Sequence, residues 1–158
     1  MAVATLRYFT PAGALAAAVR DTTGLMLPEA LRARETHPPG MILAWRAPTE
    51  TLCLTADAAR LGALATQLAG MDDGCLVELT GGLKVLRLAG PRTPDLLCRL
   101  GGTASVPAPG EARRSRMADV PVLALSLRAN ETLLVVDRAL LPHVLAWIRE
   151  TLRDLDPD

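Results

Sequence analysis

The densest group of chemically active side chains is the arginine cluster Arg113, Arg114 and Arg116, interrupted only by Ser115. Guanidinium groups bind carboxylates and phosphates through two parallel hydrogen bonds. The cluster is therefore a candidate contact for an anionic ligand or for acidic residues of a partner protein. If the segment is an edge strand, the same charges can instead block pairing with another strand.

Side chains suited to catalysis are few. The two histidines, His37 beside two prolines and His143 in the last helix, have no carboxylate or cysteine nearby at metal-ligand spacing. A nucleophile also needs a base and an orienting group, which the sequence does not indicate. Asp72 and Asp73 are the one local carboxylate pair, and we interpret them as a solvated turn. We expect no catalytic, cofactor-binding or metal site in this chain.

Glycine pairs and cysteines give no further motif. Neither Gly81-Gly82 nor Gly101-Gly102 opens a helix as a phosphate-binding loop does, and we interpret 80–82 as a hairpin turn. The three cysteines are widely spaced and odd in number, which argues against a disulfide framework or a zinc site. Each lies in an apolar run, so we expect buried, reduced thiols, as in a cytoplasmic protein.

Composition excludes several functional classes. The 158 residues, 50% of them hydrophobic, suffice for one ordinary core. A net charge of +0 provides no field to attract nucleic acid or an anionic membrane, and 3% aromatic residues leave few platforms for base stacking. No apolar run approaches the roughly 20 residues of a membrane span, and no secretory signal is evident at the start. A chain this neutral and this apolar is consistent with a subunit of a larger assembly.

Hydrophobic periodicity predicts the elements that position these side chains. We expect an N-terminal arm or irregular segment over 1–39, with a short helix at 12–19, followed by an α+β domain over 40–158. Strands are predicted at 41–47, 51–55, 75–79, 83–88, 111–118, 120–127 and 132–136. Helices are predicted after Asp57, over 93–100 and over 139–152. Segments 75–79 and 83–88 are expected to pair as a hairpin.

This order predicts antiparallel sheets with helices packed on one face. The hairpin and helix of 41–70 are echoed at 75–100, which suggests two pseudo-repeated halves.

Several segments also resemble a known family. Residues 83–92, Leu-Lys-Val-Leu-Arg-Leu-Ala-Gly-Pro-Arg, with 95–97, resemble a Val-Arg-Leu-Ser-Gly-Pro…Leu-Leu segment of sarcosine oxidase gamma subunits, which also occurs in the related folate-binding aminomethyltransferase fold. Segments 42–45, 50–54, 116–123 and 132–138 and the helix with Trp147 are similar to other parts of those subunits. The likeness covers 40–152. Family members usually carry Cys, Asp and His before the Pro-Gly, where this chain has 103–107 without them.

The resemblance implies a ferredoxin-like fold of the aminomethyltransferase folate-binding type. It also implies an accessory, non-catalytic small subunit of a complex that oxidises sarcosine, an N-methyl amine, and passes the methyl carbon to tetrahydrofolate. Large flavoprotein subunits (alpha, beta and delta-like) are the expected partners. FAD, FMN, NAD and tetrahydrofolate are expected in those partners, and no cofactor is expected in this chain.

Two other functions stay open at this point. One is a free-standing, folate-like binding module, which can form a homodimer if partners are absent. It predicts a pocket in which Arg113, Arg114 and Arg116 converge on a carboxylate. The other is an independent enzyme, against which the missing acid, base and nucleophile count. The accessory-subunit hypothesis instead predicts a large exposed apolar patch.

Overall fold

Two antiparallel sheets organise the chain, one within each of two units, Met1–Thr80 and Gly81–Asp158. The computed structural model describes residues 1–155. The prediction of an α+β fold, with antiparallel sheets and helices on one face, is confirmed.

In unit 1 the strand order is β2-β3-β4-β1-β5, so the first strand lies between β4 and β5. The elements are β1 (Ala2–Tyr8), α1 (Ala14–Thr23), β2 (Ala33–Glu35), β3 (Met41–Ala47), β4 (Glu50–Thr55), α2 (Ala58–Leu68) and β5 (Gly74–Glu78). Leu15 of α1 and Leu64 of α2 pack with Leu6 of β1 in one core cluster. Both helices therefore cover the same face of the sheet.

In unit 2 the strand order is β6-β9-β8-β7. The elements are β6 (Leu83–Ala89), α3 (Thr93–Gly101), β7 (Glu111–Met117), β8 (Val120–Arg128), β9 (Glu131–Asp137) and α4 (Leu141–Leu155), with 3-10 turns at Thr103–Ser105 and Arg138–Leu140. Leu97 of α3 and Ile148 of α4 share a core cluster with Leu134 of β9. Here too both helices pack on one face.

The two units repeat one topology. Each runs strand, helix, three strands, helix, and in each the first strand pairs antiparallel with the fourth, β1 with β4 and β6 with β9. Unit 1 carries one additional strand, β5, on the free side of β1. The repeat thus spans each whole unit, and the predicted echo between 41–70 and 75–100 had the wrong boundaries.

The predicted hairpin of 75–79 with 83–88 is wrong. β5 pairs with β1 in the first sheet, whereas β6 pairs with β9 in the second. The Gly81-Gly82 turn links the two units. β5 and β6 each pair with a strand that is distant in the sequence, and a local turn signal does not reveal such pairing.

The expected irregular segment over 1–39 is also corrected. Residues 2–8 form a strand whose Val3, Ala4 and Leu6 are fully buried. A strand that is paired and buried in this way shows no strict alternation of apolar and polar residues. The usual sequence signal of a strand was therefore absent. The short helix was predicted correctly in kind but lies at Ala14–Thr23, and Gly24 ends it with a φ of 75°.

Asp73 caps this first helix from a distance of 58 residues. Its Oδ2 accepts a hydrogen bond from the backbone N–H of Leu15 at 2.8 Å. The N-cap residue itself is Gly13, which has no side chain to accept such a bond. Asp73 is half-buried while Asp72 is exposed, so the solvated-turn interpretation holds only for Asp72. The predicted cap of α2 is confirmed, since Asp57 Oδ1 accepts from the N–H of Ala59 at 2.9 Å.

We expect Asp73→Ala to lower the free energy of unfolding by about 1 kcal/mol, because one helix N–H loses its acceptor. Asp72→Ala is the matched control and should change it by less than about 0.5 kcal/mol. Urea unfolding of the isolated chain measures both. Equal effects of the two changes would contradict the capping role.

Candidate interaction surface

The three arginines lie on β7, an edge strand that, in the described part of the chain, pairs only with β8. Side chains alternate between the two faces of a strand, so Arg113 points to one face and Arg114 and Arg116 to the other. Arg113 lies opposite Ala124 of the core cluster beneath the helices. The cluster that looks continuous in sequence is therefore divided by the sheet.

Arg113 is engaged within its own unit. Its Nε and Nη2 each lie 2.8 Å from Oε2 of Glu111, two residues earlier on the same face. Its Nη1 donates to the backbone carbonyl of Ala104 at 3.3 Å. These bonds tie the 103–105 turn to β7, so Arg113 has a structural role.

Arg114 is the arginine of this cluster that remains available. Within residues 1–155 its side chain has no hydrogen bond or ion pair, and it is exposed. Arg116 is exposed but donates through Nη2 to the backbone carbonyl of Asp119. The three guanidinium groups do not converge on one point, unlike the arrangement expected of a carboxylate pocket. Their role at an interface stays a prediction.

Ser105 and Ser115 fasten the same turn and were missed from the sequence. Ser105 is buried, and its hydroxyl donates to the backbone carbonyl of Gly101 at 2.6 Å while bonding the hydroxyl of Ser115. No sequence signal marks this contact, because it joins a loop to a strand ten residues away.

Within residues 1–155, neither histidine forms a hydrogen bond with a serine, threonine or cysteine side chain. His143 Nε2 lies 2.9 Å from the backbone carbonyl oxygen of Ala118, to which it can donate, and its ring meets Trp147 edge-on. His37 is exposed in the β2–β3 loop. Within the described part of the chain, no three His, Cys, Asp or Glu side chains are grouped so that they could hold a metal ion.

Two further features bear on function. Among residues 1–155, no helix combines the length and apolar character needed to cross a bilayer.

Large apolar side chains are exposed at several separate places in the chain, including Phe9 at 82% and Trp147 at 51%. An exposed aromatic side chain is a common anchor of protein interfaces.

One open pocket in unit 2 lies beside the β6–α3 connection, with a volume of about 390 Å³. Leu88, Leu96 and Leu152 line it together with Arg87 and Arg92. Arg87 donates to Oε2 of Glu131 at 2.9 Å. This hydrogen bond is the main cause that lowers the pKa of Glu131, with the opposite charge of Arg87 adding to it.

Arg92 is engaged as well, because it bonds the carboxylate of Asp95 and the backbone carbonyl of Leu155. Both guanidinium groups at this pocket therefore have partners, and the leucines provide its free surface.

Another open pocket, of about 330 Å³, lies in unit 1 and is lined by Thr36, His37 and Arg60, among others. The hydroxyl of Thr36 donates to the carbonyl of Pro38 and accepts from the N–H of Met41. Arg60 lies 3.9 Å from a carboxylate oxygen of Asp57. Thr36 and Arg60 therefore have partners within unit 1, whereas the His37 side chain has no hydrogen bond or ion pair among residues 1–155.

The cysteines differ in exposure, contrary to the expectation that all are buried. Cys53 is fully buried, Cys98 is half-buried and Cys75 is exposed. Burial raises the pKa of the Cys53 thiol from 9.0 to about 12. The folded state thus holds this proton more tightly than the unfolded state, and the resulting stability is lost as the pH rises from about 9 towards 12.

Comparison with known proteins gives a match in structure. No protein-family model matches the sequence, and no curated protein matches it in sequence. The fold is similar to that of a chain of the heterotetrameric sarcosine oxidase from Corynebacterium sp. U-96, solved in complex with pyrrole 2-carboxylate. The TM-score is 0.84 at 23% sequence identity, and the match covers 97% of this chain and 80% of that chain. At this identity the similarity shows the fold.

We expect a thiol reagent such as 5,5′-dithiobis(2-nitrobenzoic acid) to modify native Cys75 fastest. Cys53 should react only after unfolding in urea, because at pH 8 a pKa of about 12 leaves roughly one thiolate in ten thousand. Cys75→Ser should remove the fast phase of the absorbance trace. A fast phase that survives this change would contradict the assignment.

Proposed function

We propose that this chain is the accessory, non-catalytic small subunit of a heteromeric sarcosine oxidase-like complex. The observation that carries the proposal is the extent of the structural match. It runs over 97% of this chain and includes both units, and the matched chain comes from a heterotetrameric enzyme.

The chemistry of the surface supports a binding role. Arg113, Arg87 and Arg92 are held by partners within unit 2, and the hydroxyl of Ser105 bonds a backbone carbonyl. Arg114 is exposed on the edge strand β7, and its side chain has no partner among residues 1–155. A free guanidinium beside a regular strand suits an acidic side chain of another protein.

In this proposal, the partners are large flavoprotein subunits, alpha, beta and delta-like, that act in the cytoplasm on an N-methyl amine. They bind FAD, FMN, NAD and tetrahydrofolate, and this chain binds none of them. The proposal assigns the gamma-subunit role to this chain because of the sequence likeness over 40–152, and the accessory role because of the surface chemistry above.

Size-exclusion chromatography of the tagged chain, purified from its native host, tests the proposal. We expect co-elution with larger subunits and with the visible absorbance of flavin. Elution as a colourless monomer or homodimer would overturn the proposal. Titration of that free chain with tetrahydrofolate would then test the free-standing binding module.

Arginine substitutions locate the interface. Changing Arg113, Arg114 and Arg116 together to Ala should weaken assembly, and Arg114→Glu alone should reduce the co-eluting fraction at least about tenfold, since it replaces attraction by repulsion. Arg149→Glu is the matched control, because Arg149 is also exposed and without a partner in the described part of the chain. Unchanged assembly of the Arg114→Glu variant would remove β7 from the interface.

A further inference from the structure

The outer edge of β6 is unpaired among the residues of unit 2 that the structure describes, 81–155. In unit 1 the corresponding strand, β1, pairs with β4 on one side and with β5 on the other. β6 pairs with β9 alone, and within residues 1–155 no other strand or loop makes a backbone hydrogen bond to residues 83–89. Unit 2 therefore lacks the strand that completes the sheet of unit 1.

Hairpin register sets the correspondence between the two edges. Glu50 and Glu131 each begin the second strand of a hairpin, and they lie opposite Arg7 and Ala89. One residue earlier, Leu6 of β1 thus corresponds to Leu88 of β6. Both leucines face the helices of their own unit.

In unit 1 the additional strand fills the space beside this leucine. Leu76 of β5 lies directly opposite Leu6 and packs against the core cluster, and α2 packs against β5. At the corresponding place in unit 2 is the open pocket of about 390 Å³, lined by Leu88, Leu96 and Leu152. Leu152, on α4, is 41% exposed. The helix layer is present and the strand beneath it is missing.

The charge of Lys84 is a second indication that a strand is missing beside β6. Lys84, the only lysine of the chain, lies on β6 with no carboxylate partner among residues 1–155. In unit 1, Glu78 of β5 lies opposite Ala4, which corresponds to Leu86. A strand placed on β6 in the same register would bring such a carboxylate diagonally next to Lys84 on the same face, within reach of both long side chains.

We propose that the β6 edge accepts one extended, antiparallel strand of a partner protein, with a Leu-x-Glu pattern. The leucine enters the pocket opposite Leu88, and the glutamate pairs with Lys84. Main-chain hydrogen bonds supply affinity and the two side chains supply selectivity, as in other cases of strand addition. The inference rests on the proposed subunit role, because a partner subunit supplies the strand.

A peptide with residues 72–80 of the chain itself, carrying Cys75→Ser, is the probe. It contains the strand that unit 1 uses, including Leu76 and Glu78. We expect saturable binding to the purified chain by fluorescence anisotropy and slower amide hydrogen exchange in residues 83–89. The same peptide with Leu76→Asp should bind at least about tenfold more weakly.

Variants of the chain locate the peptide. Leu152→Glu should weaken binding at least about tenfold, whereas Trp147→Glu, an equal change at another exposed position of the same helix, should leave it unchanged. Lys84→Glu should weaken binding, and a peptide carrying Glu78→Lys should restore it. Circular dichroism verifies that each variant is folded.

The inference is overturned if the peptide fails to bind, if Leu152→Glu has no effect, or if exchange slows elsewhere than in β6. It is also overturned if the chain dimerises and Lys84→Glu alters the dimer, because a second copy then occupies the edge. Failure here with intact co-elution of flavoprotein subunits leaves the proposed function standing. Peptide binding without co-elution contradicts the proposed function instead.

Discussion

The pairing of the first strand of each unit with its fourth strand is the constraint on which the rest of the structure depends. β1 reaches β4 and β6 reaches β9 across 42 or more residues, as between Arg7 and Glu50 or Ala89 and Glu131. These ladders bring Leu6 and Leu88 beneath the helices. The two helices of each unit can bury their apolar faces only once these strands have paired and formed the sheet. The fold and the exposed surface therefore both depend on this pairing.

Much of the fold could be predicted from local sequence. Asp57 and the leucine stripe after it indicated α2. The segment 41–55 indicated a hairpin, and the segment 120–136 indicated two strands separated by a turn. β1, the separation of β5 from β6, and the Asp73 cap could not be found, because each depends on partners 42 to 77 residues away that leave no local pattern. The family resemblance began at residue 40, so it did not reach β1 either.

The arginine cluster illustrates the same limit at the candidate site. Once 111–118 was predicted as a strand, alternation already implied that Arg113 faces away from Arg114 and Arg116. The contacts with Glu111 and Ala104 O, which remove Arg113 from the available charges, required the structure. The three guanidinium groups lie on two faces of β7 and do not converge, and this arrangement favours a docking surface over a pocket.

Native mass spectrometry of the assembly purified through this chain tests the central claim most directly. The account predicts a flavin-containing complex in which one copy of the 16.7 kDa chain accompanies larger subunits. A spectrum showing only the 16.7 kDa chain, or a multiple of it, would contradict the account.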